Sequence, residues 1–174
     1  RRRGRVGCLR EVVPDLLERP RAGAAGRAVV RAKPRLQMRT GNASRRVCRE
    51  VISRLKLLTP AQLAIVRQGA HQDQDYALWL AVCKRYRFIH DFAAEVVREK
   101  FLRLDLALSY DDYDIFFNRK AEWRPEMEAV ATATRKKQRQ LVFKMLHEAG
   151  LLSSAGPVSY THLRAHETVL DLVC

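Results

Sequence analysis

The sequence predicts an all-α fold, a compact bundle of about five or six helices after residue 42. Three observations lead there. Apolar residues recur at three- and four-residue spacing through successive segments between Asn42 and Gly150. Residues that start and stop helices stand at the ends of those segments. No segment alternates with period two for long, and no Asn-Gly or Asp-Gly pair signals a hairpin.

The elements follow in order. Residues 1–35 are mostly Arg, Ala, Gly, Val and Pro, and Pro14, Pro20 and Pro34 interrupt any long helix, leaving a short one near Leu9–Glu18. The stretch NASRRVCREVISRLKLL places Val47, Cys48, Val51, Ile52 and Leu55 on one arc, with Asn42 or Ser44 as N-cap. Arg45, Arg46, Arg49, Arg54 and Lys56 are assigned to the opposite side. In TPAQLAIVRQG, Thr59 caps, Pro60 takes the first helical position and Gly69 ends the helix. From Asp73 to Leu106 the pattern is helical, with one apolar stripe through Tyr76, Trp79, Leu80, Cys83 and Tyr86. A second stripe runs through Phe88, Phe92, Val96 and Phe101, and a break is expected near Arg87. Ser109 opens the next helix with acids in its first turn. The last helix has Thr132 or Thr134 as cap, Leu141, Val142, Met145, Leu146 and Ala149 facing inward, and Gly150 as its stop.

Composition narrows the function. The 174 residues are 47% apolar and 30% charged, a globular mixture, and no run approaches the roughly 18 uncharged apolar residues of a membrane span. The arginine-rich start has no apolar segment behind it, so no signal peptide is read, and Arg1 in place of methionine suggests a fragment. Cys8, Cys48, Cys83 and Cys174 are scattered without a Cys-x-x-Cys pair, which predicts reduced structural thiols. The net charge is +14, and residues 1–58 hold 17 Lys/Arg against 4 Asp/Glu. Such asymmetry points to an anionic polymer, because each neutralised phosphate releases counterions.

Catalytic and metal-binding patterns are weak. Asp111, Asp112 and Asp114 could hold magnesium, but their place after Ser109 explains them as first-turn acids matched to the helix dipole. His71, His90 and His147 are isolated, and adjacent His90 and Asp91 should point about 100° apart on a helix. No phosphate-binding loop, nucleophile elbow or dinucleotide fingerprint is present, so no catalytic residue, metal or cofactor is assigned. Trp79 and Tyr86 could stack on bases, but their spacing with Leu78, Val82 and Cys83 favours a core role.

Two basic patches remain. RLQMRTGNASRR runs into the first helix with Arg35, Arg39, Arg45 and Arg46, and Arg49 follows one turn later. TRKKQR opens the last helix with Arg135, Lys136, Lys137 and Arg139, none of which has an acid within four residues. Backbone N–H groups at a helix start favour phosphate, and nearby cations strengthen such a site. A solvated helix face is the plainer reading of either run.

RLQMRTGNASRRVCREVISRLKLL, LWLAVCKRYRFIHDFAAEVVREKF, DYDIFFNRKAEW and TRKKQRQLVFKMLHEAGLL, taken together and in this order, resemble the BrxA family of bacteriophage-exclusion (BREX) defence loci. The resemblance covers residues 36–152. It implies a helical domain similar to the NusB-type RNA-antitermination fold, nucleic acid as ligand and no catalytic residues. Members of the family have also been labelled inner-membrane proteins, which the hydropathy above contradicts. Beyond Gly150, PVSYTHLRAHETVLDLVC resembles the translation of a sequencing-library adapter. On that reading residues 153–174 are a non-native tail, and the His162, His166 and Cys174 constellation, although spaced like zinc ligands, is not a metal site. The expectation is a cytoplasmic, non-enzymatic accessory protein of phage defence that binds duplex DNA through basic helix faces, with other BREX proteins as further partners. An RNA-binding NusB-like factor and a protein–protein adaptor are the alternatives.

Overall fold

The structure is a computed structural model that describes residues 41–154 and the backbone of 161–163, with side chains described for residues 46–153. The fold is all-α, as expected. Its helices are α1 (Gly41–Leu55), α2 (Pro60–Gln68), α3 (His71–Arg85), α4 (Arg87–Phe92), α5 (Glu99–Leu102), α6 (Tyr110–Ala121), α7 (Pro125–Glu128) and α8 (Thr132–Glu148). A π-helical segment, Ala93–Arg98, joins α4 to α5 without a break. Three strands of two or three residues, β1 (Ala107–Leu108), β2 (Leu152–Ser154) and β3 (Thr161–Leu163), form an antiparallel sheet in the order β1–β3–β2. Leu108 pairs with Thr161, and Ser153 with His162. Strands this short cannot display a period-two pattern, which is why the sequence showed none.

The chain divides at the Arg85–Tyr86 junction into two compact units. Tyr86 has φ −121° and ψ 100°, an extended residue that ends one helix and begins the next where the break was expected.

In the first unit α1 and α2 each pack against α3. Cys48, Val51 and Leu55 are buried from α1, Val66 from α2, and every residue from Ala77 to Cys83 from α3. Seven consecutive buried residues mean that this part of α3 is enclosed on all sides, so Trp79 is a core residue and only 1% exposed. Cys48 and Cys83 are buried, as their places on the apolar faces predict, and burial pushes the Cys48 thiol above its ordinary pKa. Thr59 and Gln62 form a reciprocal capping box at the start of α2, with Pro60 at its first position. Gly69 caps the other end in extended backbone, and an added Cβ would stand 2.6 Å from the Ile65 carbonyl oxygen. The chain is already helical from Gly41, so Asn42 and Ser44 lie inside α1 rather than at its cap.

In the second unit an aromatic cluster joins α4 to α6. Phe92 meets Tyr113 and Phe116 at ring distances of 5.4 Å each, and Phe88 meets Tyr113, Phe116 and Phe117. The π segment shifts the apolar phase. Hydrogen bonding from i to i+5 brings Val97, not Val96, onto the face of Phe92, so Val97 is buried and Val96 half-buried. Ser109 and Asp112 make a second capping box. On α8, Val142, Phe143, Met145 and Leu146 are buried, whereas Leu141 is half-buried. Its N-cap is Ala131 without a side-chain bond, which places Thr132 at the first helical position rather than at the cap. At its other end Gly150 adopts φ 73°, and Leu151 N–H donates to the Leu146 carbonyl while Gly150 N–H donates to that of His147. These two bonds and the left-handed glycine make a Schellman stop.

Candidate nucleic-acid interface

On α1, Arg46 and Arg49 are exposed, one turn apart, and Lys56 continues their face. Neither arginine has a carboxylate partner among the described residues. Arg54 does not belong with them. It follows Val47 by seven residues and Val51 by three, which puts it on the apolar side, where it is only 9% exposed and bonds Glu50 at 3.4 Å. Arg45 lies within α1 with its side chain outside the described residues, and Arg35 and Arg39 also lie outside them.

The α8 patch separates into two kinds of cation. Arg135 and Arg139 turn inward onto α6. Arg135 Nε donates to Asp114 Oδ1 at 2.9 Å, its other nitrogens donate to Asn118 Oδ1 at 2.7 Å and to the Asp114 carbonyl at 2.8 Å, and Arg139 pairs with Asp114 Oδ2. The guanidinium of Arg135 stacks 4.5 Å from the Phe117 ring centre, and that of Arg139 4.4 Å from the Tyr110 ring. The expectation that these cations are uncompensated is therefore corrected: their acid is 21 and 25 residues away in sequence but adjacent in the fold. Lys136 and Lys137 are exposed and have no partner among the described residues. The outward side of α8 continues through Gln140 to Lys144, which lies 3.8 Å from Glu148. Lys144 was missed because it falls outside the basic run, although its spacing of eight from Lys136 carries the signal.

α1 belongs to the first unit and α8 to the second.

The acidic residues resolve into structural roles. Asp112 completes the α6 cap and lies 3.3 Å from Lys100, and Asp114 holds the two arginines. Among the described residues no group of His, Cys, Asp and Glu is placed to hold a metal ion. His90 and Asp91 do meet, with Nδ1 3.3 Å from Oδ1, against the expectation that they point apart. Arg87 at 2.8 Å and Lys120 at 3.5 Å draw in the same buried carboxylate. Burial by itself raises the Asp91 pKa, but the His90 hydrogen bond and the charges of Lys120 and Arg87 outweigh it and leave the carboxyl below its ordinary value. Tyr113, fully buried and packed against the rings of Phe88, Phe92 and Phe117, is pushed up to about 12 by burial.

A family model described as BrxA matches residues 13–169. The chain belongs to the BrxA family. The match is wider at both ends than the stretch 36–152 that carries the resemblance, and it takes in most of the residues beyond Gly150. A BREX protein BrxA from Bacillus cereus (strain H3081.97) is 25% identical over 118 residues, 68% of this chain and 59% of its own length. A crystal structure of an uncharacterized protein from Magnetospirillum magneticum has the same fold, with a TM-score of 0.71, 23% identity, and coverage of 95% of this chain and 84% of the other. No helix among the described residues is long and apolar enough to cross a membrane.

Proposed function

We propose that this chain is a non-enzymatic accessory component of a BREX phage-defence system, acting in the cytoplasm by binding nucleic acid, with duplex DNA preferred. Membership of the BrxA family and the BREX name of the Bacillus cereus relative support the first part. The observation that carries the second is the division of labour on α8. Arg135 and Arg139 are consumed by Asp114, while Lys136 and Lys137 stand exposed near a helix start that has neither an acid nor a side-chain cap. Two cations at the positive end of a helix are unfavourable for the free protein, and an anionic ligand reverses that. Arg46 and Arg49 supply a second exposed pair on α1, and the chain's net charge of +14 gives the long-range attraction.

The NusB-type fold that the family resemblance implies makes RNA the competing ligand. Binding of matched duplex DNA, duplex RNA and single strands, each measured at several salt concentrations, separates them. The proposal expects tightest binding to duplex DNA and affinity that falls steeply with salt. Preference for RNA would replace DNA by RNA at the same cations, and no binding to any of them at low salt would refute the reading.

A further inference from the structure

Trp123 is 84% exposed in the turn between α6 and α7, although the other tryptophan, Trp79, is 1% exposed. A tryptophan presented in this way is the residue type that anchors protein interfaces, because a large rigid face is buried at small cost in side-chain entropy. The surroundings of Trp123 indicate what it fits. Ala121 to Val130 is a chain of tight turns: Arg124 N–H donates to Ala121, Met127 N–H to Arg124, Ala129 N–H to Pro125 and Val130 N–H to Met127. This short stretch carries Glu122, Glu126 and Glu128 with Arg124 as its one cation, a local excess of negative charge in a chain of net +14. All three glutamates are exposed and have no partner among the described residues. The two cations just upstream are already engaged, since Arg119 Nη2 lies 2.7 Å from Glu95 and Lys120 Nζ lies 2.5 Å from the same carboxylate.

An exposed indole within five residues of three exposed carboxylates is matched to a planar cation. Guanidinium stacks on the ring while its N–H groups reach carboxylate oxygens, which an ammonium group does less well. Nucleic acid is disfavoured at this spot by the same charges. We propose that the α6–α7 turn docks a basic segment of a partner protein, in which an arginine lies on Trp123 and basic groups pair with Glu122, Glu126 and Glu128 of the same stretch. This goes beyond nucleic-acid binding and uses different residues.

The test uses the full chain and a dye-labelled, end-blocked Gly-Arg-Gly-Arg-Gly peptide followed by fluorescence anisotropy. Saturable binding is expected. Trp123→Ala should weaken it about fivefold and the combined Glu122→Gln, Glu126→Gln, Glu128→Gln variant about tenfold, with unchanged circular dichroism. A lysine peptide should bind more weakly than the arginine peptide, and Trp123→Ala should bind duplex DNA like the unmodified chain. Reversal of Lys136 and Lys137 should leave the peptide affinity unreduced, so failure of either proposal leaves the other standing. Equal peptide binding by Trp123→Ala would overturn the inference. So would quenching of Trp123 by a single-stranded oligonucleotide without peptide binding, or self-association of the chain through Trp123 in its place.

Discussion

Removing the Asp114 carboxylate is the most informative single perturbation of the fold around α8. Asp114→Ala deletes the acceptor for Arg135 Nε and for Arg139, while Arg135 keeps Asn118 and the residue-114 carbonyl as partners. Two charge-assisted hydrogen bonds are lost. Fully buried, each would contribute about 1.5–3 kcal/mol, and fully exposed only about 0.2–1 kcal/mol. The three side chains are 18–29% exposed, which places the total between those limits, at about 1–3 kcal/mol. For a chain of this length that lowers the Tm by about 3–10 °C. A double-mutant cycle with Arg139→Ala in thermal unfolding should give a coupling of about 1 kcal/mol or more, because the partners touch. Duplex DNA affinity should not fall, and loss of one negative charge should raise it slightly. A variant with unchanged Tm and weakened DNA binding would refute the assignment of Arg135 and Arg139 to structure.

Three further outcomes follow from the same geometry. Trp79→Ala should cost about 3–5 kcal/mol, measured by denaturant unfolding, because its surroundings on α3 are buried on every side; a loss below 1 kcal/mol would contradict that placement. Asp91 has a depressed folded-state pKa, so its contribution is present above the unfolded value of about 3.9 and is lost as pH falls through the lower folded value. Asp91→Asn should therefore lower stability near neutral pH and flatten the decline below about pH 4, and an unaltered acid limb would count against the cluster. Deletion of residues 157–174 tests the adapter reading of the tail: the helices should keep their circular dichroism, although the middle strand β3 is removed, and zinc should bind no more tightly than to an exposed His/Cys peptide. Stoichiometric zinc lost with the deletion would reverse that reading.

The helices were legible in the sequence where local chemistry decides them. Thr59 with Gln62, Pro60, Ser109 and Gly150 act as their residue types predict, and the interruption near Arg87 falls at Tyr86. The burial of Trp79 and Phe92 followed from spacing alone. What was hidden depends on the third dimension or on a changed period. The π segment moved the buried face from Val96 to Val97, and a constant 100° step cannot register that. Arg54 could have been placed correctly, since its spacing from Val47 and Val51 already sets it on the apolar face. Arg135 and Arg139 could not, because Asp114 reaches them only after α6 and α8 pack together. The basic run therefore contained two structural arginines and two exposed lysines, without a partner among the described residues, that sequence does not distinguish. The solvent-facing Trp123 gave no signal either, for exposure of a single aromatic after a helix end is a property of the fold.

Nucleic-acid binding through phosphates is proposed for the exposed cations of α1 and α8. Replacing Arg46, Arg49, Lys136 and Lys137 together by Glu, then measuring duplex DNA affinity against salt concentration, tests it most directly. These side chains are exposed and have no described partner, so each change should shift stability by only about ±0.5 kcal/mol and leave helicity intact. Near-complete loss of affinity is expected for every duplex sequence, with the salt dependence flattened by nearly one unit per contact removed. A folded quadruple variant that binds duplex DNA with the affinity and salt slope of the unmodified chain would contradict it.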